Sequence, residues 1–88
     1  MKPYSKEEAI RIIVWFQNEF VNTTNKRIRS YQLWALKEIM ISVMNSETDP
    51  LTTLYLFKDK ILKAVFEHND KMFLIAYDTC ESLIDLFV

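Results

Sequence analysis

Apolar residues in the first quarter of the chain recur at the spacing of an amphipathic α-helix. Ser5 followed by Glu8 has the pattern of a capping box, and Pro3 cannot lie inside a helix, so we expect a first helix over about 6–22. The segment is apolar over more than one face. A helix of this kind either lies at the centre of the fold or packs against a partner. The stripe expected to face the core is Ala9, Ile13, Phe16 and Phe20.

Three further segments show the same helical periodicity. After a polar break at 23–26, the pattern predicts a second helix over about 29–45. Asp49 directly before Pro50 predicts the start of a third helix, because a proline at the first helical position loses no hydrogen bond there. Asn69 or Asp70 should cap a fourth helix. The core face predicted for the fourth helix is Phe73, Ala76, Tyr77, Cys80, Ile84 and Phe87.

The absence of glycine bears on the fold class. The sequence contains no glycine, the residue that most readily adopts the left-handed conformations of tight hairpin turns, so a β-rich fold is disfavoured. Asparagine is expected to replace glycine at left-handed helix ends. Four amphipathic helices with short connections predict an all-α fold over residues 1–88: one domain, built as a compact antiparallel bundle or as two packed helical hairpins.

Charge and cysteine content narrow the cellular context. The net charge is −1, but residues 1–44 carry seven Lys or Arg and four Glu, giving +3, while residues 45–88 carry four Lys and eight acids, giving −4. The longest uninterrupted apolar run, 12–16, is far shorter than the roughly 20 residues that a membrane helix requires. A single cysteine cannot form an internal disulfide. We therefore expect a cytoplasmic protein that does not bind membranes.

Candidate catalytic and metal-binding residues are few. Cys80 lies on the predicted apolar face of the fourth helix, where a thiol behaves as a small hydrophobic group. The segment 67–70 combines Glu, His, Asn and Asp, but these residues cluster at a helix end and lack the spacing that directs several ligands at one ion. Three acidic residues lie along one strip of the predicted fourth helix, and an ordinary solvent-exposed face accounts for them. They are Asp78, Glu81 and Asp85. The sequence therefore predicts no enzyme, no cofactor and no metal site.

One basic segment suggests an alternative function, nucleic-acid binding. Cations can contact phosphates, and aromatic rings can stack on bases. The segment contains only three cations, the net charge is slightly negative, and the predicted third helix has no arginine. Nucleic acid is therefore the less favoured partner. The residues that would make this contact are Lys26, Arg27, Arg29 and Tyr31, with Trp34 beside them.

An excess of aromatic and apolar residues supports the preferred hypothesis, a small interaction or regulatory protein. Aromatic residues make up 14% of the chain, more than one small core needs. Tryptophan and tyrosine are common anchors of protein interfaces, so we expect a homodimer or another protein partner. The alternative is that these side chains cover the far side of the same core. The candidate interface residues are Val14, Trp15, Trp34, Leu56 and Leu86.

Overall fold

Four α-helices account for most of the chain. The computed structural model describes residues 4–88, so Pro3 lies outside the described residues. The helices are α1 (Lys6–Gln17), α2 (Lys26–Asn45), α3 (Pro50–His68) and α4 (Lys71–Phe87), and a short 3₁₀ turn (Asn18–Phe20) follows α1. No strand occurs within 4–88. The predicted all-α class is confirmed.

Side-chain capping explains the helix ends that the sequence predicts well. The Glu8 N–H donates to Ser5 Oγ and the Ser5 N–H donates to Glu8 Oε1, both at 3.1 Å, which is the predicted capping box. Asp49 accepts a hydrogen bond from the Thr52 N–H at the start of α3. Asn69 ends α3 in the left-handed conformation, with φ 48°, and is the predicted substitute for glycine.

Two helix boundaries differ from those predicted. The first helix ends at Gln17 and gives way to the 3₁₀ turn, whereas the sequence pattern extends to residue 22. The second helix begins at Lys26, three residues early, because the Asn25 side chain accepts hydrogen bonds from the Arg27 and Ile28 N–H groups. The Arg29 guanidinium donates to two carbonyls of the connection, which helps to fix the break between the helices.

Hydrogen bonds between helix ends define the topology. The Tyr4 hydroxyl donates to the Phe87 carbonyl at 3.0 Å, and Lys6 Nζ donates to the Met44 carbonyl at 3.3 Å. The beginning of α1 therefore lies beside the ends of α2 and α4, and successive helices alternate in direction. The α4 helix packs most extensively against α3 and α2, whereas α1 lies mainly on α2. The radius of gyration is 12.6 Å, close to the roughly 12 Å of a compact chain of this length.

The core lies between the four helices, and its composition corrects two predicted faces. In α4, Leu83 and Thr79 are buried although the predicted stripe omits them, while Phe73 and Tyr77 are only half-buried. In α2, the predicted helical pattern omits Ala35 and Ile39, which are buried together with Leu36 and Val43. That pattern comprises Tyr31, Leu33, Trp34, Leu36, Met40, Val43 and Met44. Both helices are apolar on several sides, so periodicity alone does not fix their rotation. The buried hydrophobic residues are Ala9, Ile13, Phe16, Ala35, Leu36, Ile39, Val43, Leu54, Phe57, Ile61, Ala76, Cys80, Leu83, Ile84 and Phe87.

Candidate functional site

A groove runs along α4, opposite α1, the 3₁₀ turn that follows α1 and the first part of α2, and α1 makes fewer contacts with α4 than with α2. Its α4 wall consists of Ile75, Thr79, Ser82 and Leu86, which follow one another at the three- and four-residue spacing of a single helical face. These residues line two depressions, and Ser82 of the second lies about one helical turn from Leu86 of the first. We call the two depressions together the α1–α4 groove. The first is lined by Arg11, Ile12, Trp15 and Leu86, and the second by Phe20, Ile28, Gln32, Ile75, Asp78, Thr79 and Ser82.

The first depression is predominantly apolar and open to solvent. The Trp15 side chain is 57% exposed and Leu86 is 42% exposed, while Ile12 is half-buried and packs against the core. A tryptophan offers up to roughly 250 Å² of surface, so covering the exposed part of Trp15 would remove about 140 Å² from water. At about 25 cal/mol per Å², that burial contributes about 3.5 kcal/mol. Trp15 is therefore a strong candidate for an interface anchor.

The two charged side chains that line the groove lie in different depressions. Arg11 belongs to the first and Asp78 to the second, and both are exposed. Within residues 4–88, neither has an oppositely charged group within 4 Å. The groove thus presents one positive and one negative side chain to whatever covers it.

The chain matches no protein-family model, no curated protein and no solved structure. Its function is therefore argued from this geometry.

The five predicted interface residues do not share one surface. Trp15 and Leu86 meet in the α1–α4 groove, whereas Leu56 lines a separate depression between α2 and α3. Val14 directly precedes Trp15, so it points about 100° away around α1. Trp34 is half-buried, and its ring lies 6.4 Å from that of Phe73 in an edge-on contact. The exposed tryptophan of the groove is therefore Trp15, and Trp34 contributes to packing between α2 and α4.

Several groove residues were missed at the level of sequence. The spacing of Ile75, Thr79, Ser82 and Leu86 is visible in the sequence and indicates a second face on α4 beside the core face. Thr79 and Ser82 weaken that signal, because neither residue is strongly hydrophobic. Whether Arg11 lines the groove depends on the angle at which α1 packs against α2, which the sequence does not specify.

The basic segment proposed for nucleic acid lies at the start of α2, where Ile28, between its cations, also lines the second depression of the groove. Lys26 and Arg27 are exposed, and Tyr31 is half-buried. Arg29 Nη1 donates to the Val21 and Thr23 carbonyls, each at 3.4 Å, so this cation has a structural role in the connection. Nucleic-acid binding stays a prediction, which a mobility shift that weakens steeply with salt would support.

The reactive side chains named from the sequence lie in different surroundings. Cys80 is buried, and desolvation raises the pKa of its thiol to about 12. Its S–H group points to the Leu54 carbonyl, with 3.5 Å between sulfur and oxygen. His68 is exposed at the end of α3. Across residues 4–88, no three His, Cys, Asp or Glu side chains are grouped so that they could hold a metal ion.

A small polar cluster joins α3 and α4 on their outer surface. Lys58 Nζ lies 3.4 Å from Glu81 Oε1 and 5.6 Å from the centre of the Tyr77 ring. The adjacent Glu81 carboxylate raises the pKa of the Tyr77 phenol above its ordinary value. These groups neutralise one another and help to hold the two helices together.

Among the helices of the described chain, none has the length and apolar character needed to cross a membrane.

Proposed function

We propose that this protein acts by protein–protein contact and that it self-associates through the α1–α4 groove, with no chemistry of its own. The observation that carries the proposal is the exposure of Trp15 beside Ile12 and Leu86 in a groove that α1 leaves open. Apolar surface of this kind, rimmed by charged groups, is typical of interaction sites. The favoured partner is a second copy of this chain, because two-fold homodimers are the commonest assemblies.

The size of the molecule is compatible with such a dimer. A standard interface buries about 800 Å² on each partner. The Cα atoms extend over 35 × 30 Å in the two longest directions, so one broad side provides an area of this order. In a two-fold dimer Trp15 is buried twice, contributing roughly 7 kcal/mol against an association cost of about 4–15 kcal/mol, so the rest of the interface must also contribute. We therefore expect a reversible dimer whose population depends on the protein concentration.

The test is the mass in solution, measured by sedimentation equilibrium over a hundredfold range of concentration. The wild-type protein should move from 10.5 kDa towards twice that mass as the concentration rises. Trp15→Ala should remain monomeric over the same range, because it removes the largest exposed side chain of the groove. A wild-type protein that stays at 10.5 kDa throughout would refute the proposal.

Two control variants remove exposed apolar side chains elsewhere. Leu56 is 58% exposed, almost the same fraction as Trp15, and Phe66 is an aromatic residue that is 80% exposed on α3. Neither lines the groove. Leu56→Ala and Phe66→Ala should leave the dissociation constant within about threefold of the wild-type value, a difference below about 0.7 kcal/mol. Loss of dimerisation in either control, with Trp15→Ala unaffected, would assign the interface to another face.

A further inference from the structure

The charges of the α1–α4 groove are arranged so that the groove complements a second copy of itself. Arg11 lies at the end that contains Leu86, and Asp78 lies eight residues earlier on α4, about 12 Å along the helix axis. A two-fold axis passing through the middle of the groove exchanges these two ends. Arg11 of one copy then faces the partner's Asp78, and the same pair forms a second time by symmetry.

We propose that two copies associate in an antiparallel arrangement across the α1–α4 groove, with reciprocal Arg11–Asp78 pairs at its two ends. This inference rests on the proposed function, since it specifies the geometry of that self-association. A parallel arrangement would place like charges opposite each other, Arg11 against Arg11 and Asp78 against Asp78, which opposes association. The charged side chains therefore select one orientation, while Trp15 supplies most of the affinity.

The middle of the groove allows two copies of α4 to approach each other closely. Thr79 and Ser82, between Ile75 and Leu86, have small side chains. The Thr79 hydroxyl donates to the Ile75 carbonyl at 2.8 Å within its own helix, so its hydrogen-bonding need is met without a partner. In the antiparallel arrangement Ser82 lies near the two-fold axis and faces the same residue of the partner.

Charge reversal tests this arrangement. Arg11→Asp places two pairs of carboxylates opposite each other in each dimer, and Asp78→Arg places two pairs of cations there. Each single variant should weaken dimerisation about tenfold at low salt, and the double variant Arg11→Asp/Asp78→Arg should return to within about threefold of the wild type. Both residues are exposed, so the changes should not affect folding. Lys37→Asp and Asp59→Arg make similar charge changes at exposed positions outside the groove and should have no such effect.

A cysteine at the proposed axis gives an independent measurement. Ser82→Cys should form an intermolecular disulfide under mild oxidation at dimer-forming concentrations, whereas the exposed control Asp59→Cys should not. If the wild type dimerises and depends on Trp15, but the double variant is not restored and Ser82→Cys does not crosslink, the antiparallel geometry is wrong and the proposed function stands. A wild-type protein that is monomeric at all concentrations overturns both.

Discussion

The two sides of α4 are packed very differently. Towards α3 the contact is extensive, and it includes the buried Cys80 thiol beside the Leu54 carbonyl and the ion pair between Lys58 and Glu81. Towards α1 the contact is limited, and the hydrogen bond from the Tyr4 hydroxyl to Phe87 holds the helices together at one end. The same helix therefore closes the core on one side and forms an open groove on the other.

This difference shows how a small bundle can expose an apolar surface without losing its core. The core contacts of α4 are made mainly with α2 and α3, and fewer are made with α1. The α1 helix adds its own stripe to the core while leaving Ile75, Ser82 and Leu86 along the groove. Stability and binding thus depend on different faces of one helix, and substitutions on the two faces should separate these properties.

The largest effect is expected for the reactivity of the Cys80 thiol, which lies on the side of α4 that packs against α3. A pKa of about 12 instead of 9.0 lowers the thiolate fraction at pH 8 about a thousandfold, and burial blocks access to reagents as well. Labelling of the native thiol by a disulfide reagent should therefore be at least about 10³-fold slower than labelling in urea. The variant Ser82→Cys, measured below the dimer dissociation constant, should show a second, rapidly labelled thiol. Native Cys80 labelling within tenfold of the unfolded rate would mean that the α3–α4 contact opens readily.

A pair of leucines on α4 tests the two faces directly. Leu83 is fully buried and Leu86 is 42% exposed in the groove. Leu83→Ala should reduce the free energy of unfolding by about 3 kcal/mol, whereas Leu86→Ala should cost less than about 1 kcal/mol and weaken self-association instead. Urea denaturation at a concentration that keeps the protein monomeric measures the first effect, and sedimentation measures the second. Equal losses of stability would contradict the assignment of separate faces.

The smallest effect is expected at the hydrogen bond that joins the beginning of α1 to the end of α4. Tyr4→Phe removes the hydroxyl that donates to the Phe87 carbonyl but keeps the ring, which packs edge-on against Phe87 at 4.9 Å. The free energy of unfolding should fall by about 1 kcal/mol. Hydrogen exchange should increase mainly in α1, because the other helices remain packed together. A uniform increase through all four helices would show that α1 is an integral part of one cooperative unit.

The sequence predicts the fold well where local chemistry determines it. The capping box at Ser5, the Asp49–Pro50 start and the left-handed Asn69 each depend on residues within one helical turn, and all three are found. The end of α1 was misplaced because the chain tightens into a 3₁₀ turn at Asn18–Phe20, which the spacing of apolar residues does not distinguish from an α-helix. The core face of α4 was predicted in part: Ala76, Cys80, Ile84 and Phe87 are buried as expected, but Thr79 and Leu83 were omitted. A helix that is apolar on several sides does not fix its own rotation.

The candidate site was only partly predictable for the same reason. Trp15 and Leu86 were chosen because they lie off the expected core stripes, and the structure brings them together. The rotation of α2 determines that Trp34 packs against Phe73, and Leu56 lies on a different side of the bundle. The angles at which the helices cross determine which of the residues outside the core stripes meet. The pattern of apolar residues within one helix does not specify those angles.

The central claim is that association buries Trp15, and quenching of its fluorescence by acrylamide measures this most directly. In the variant Trp34→Phe, Trp15 is the only tryptophan, because the chain contains two. We predict that the quenching constant falls at least about twofold as the protein concentration rises through the dissociation constant, because a partner covers the 57% of the side chain that is exposed. A mass that doubles while quenching stays constant would contradict the account, since the protein would then associate through a different surface.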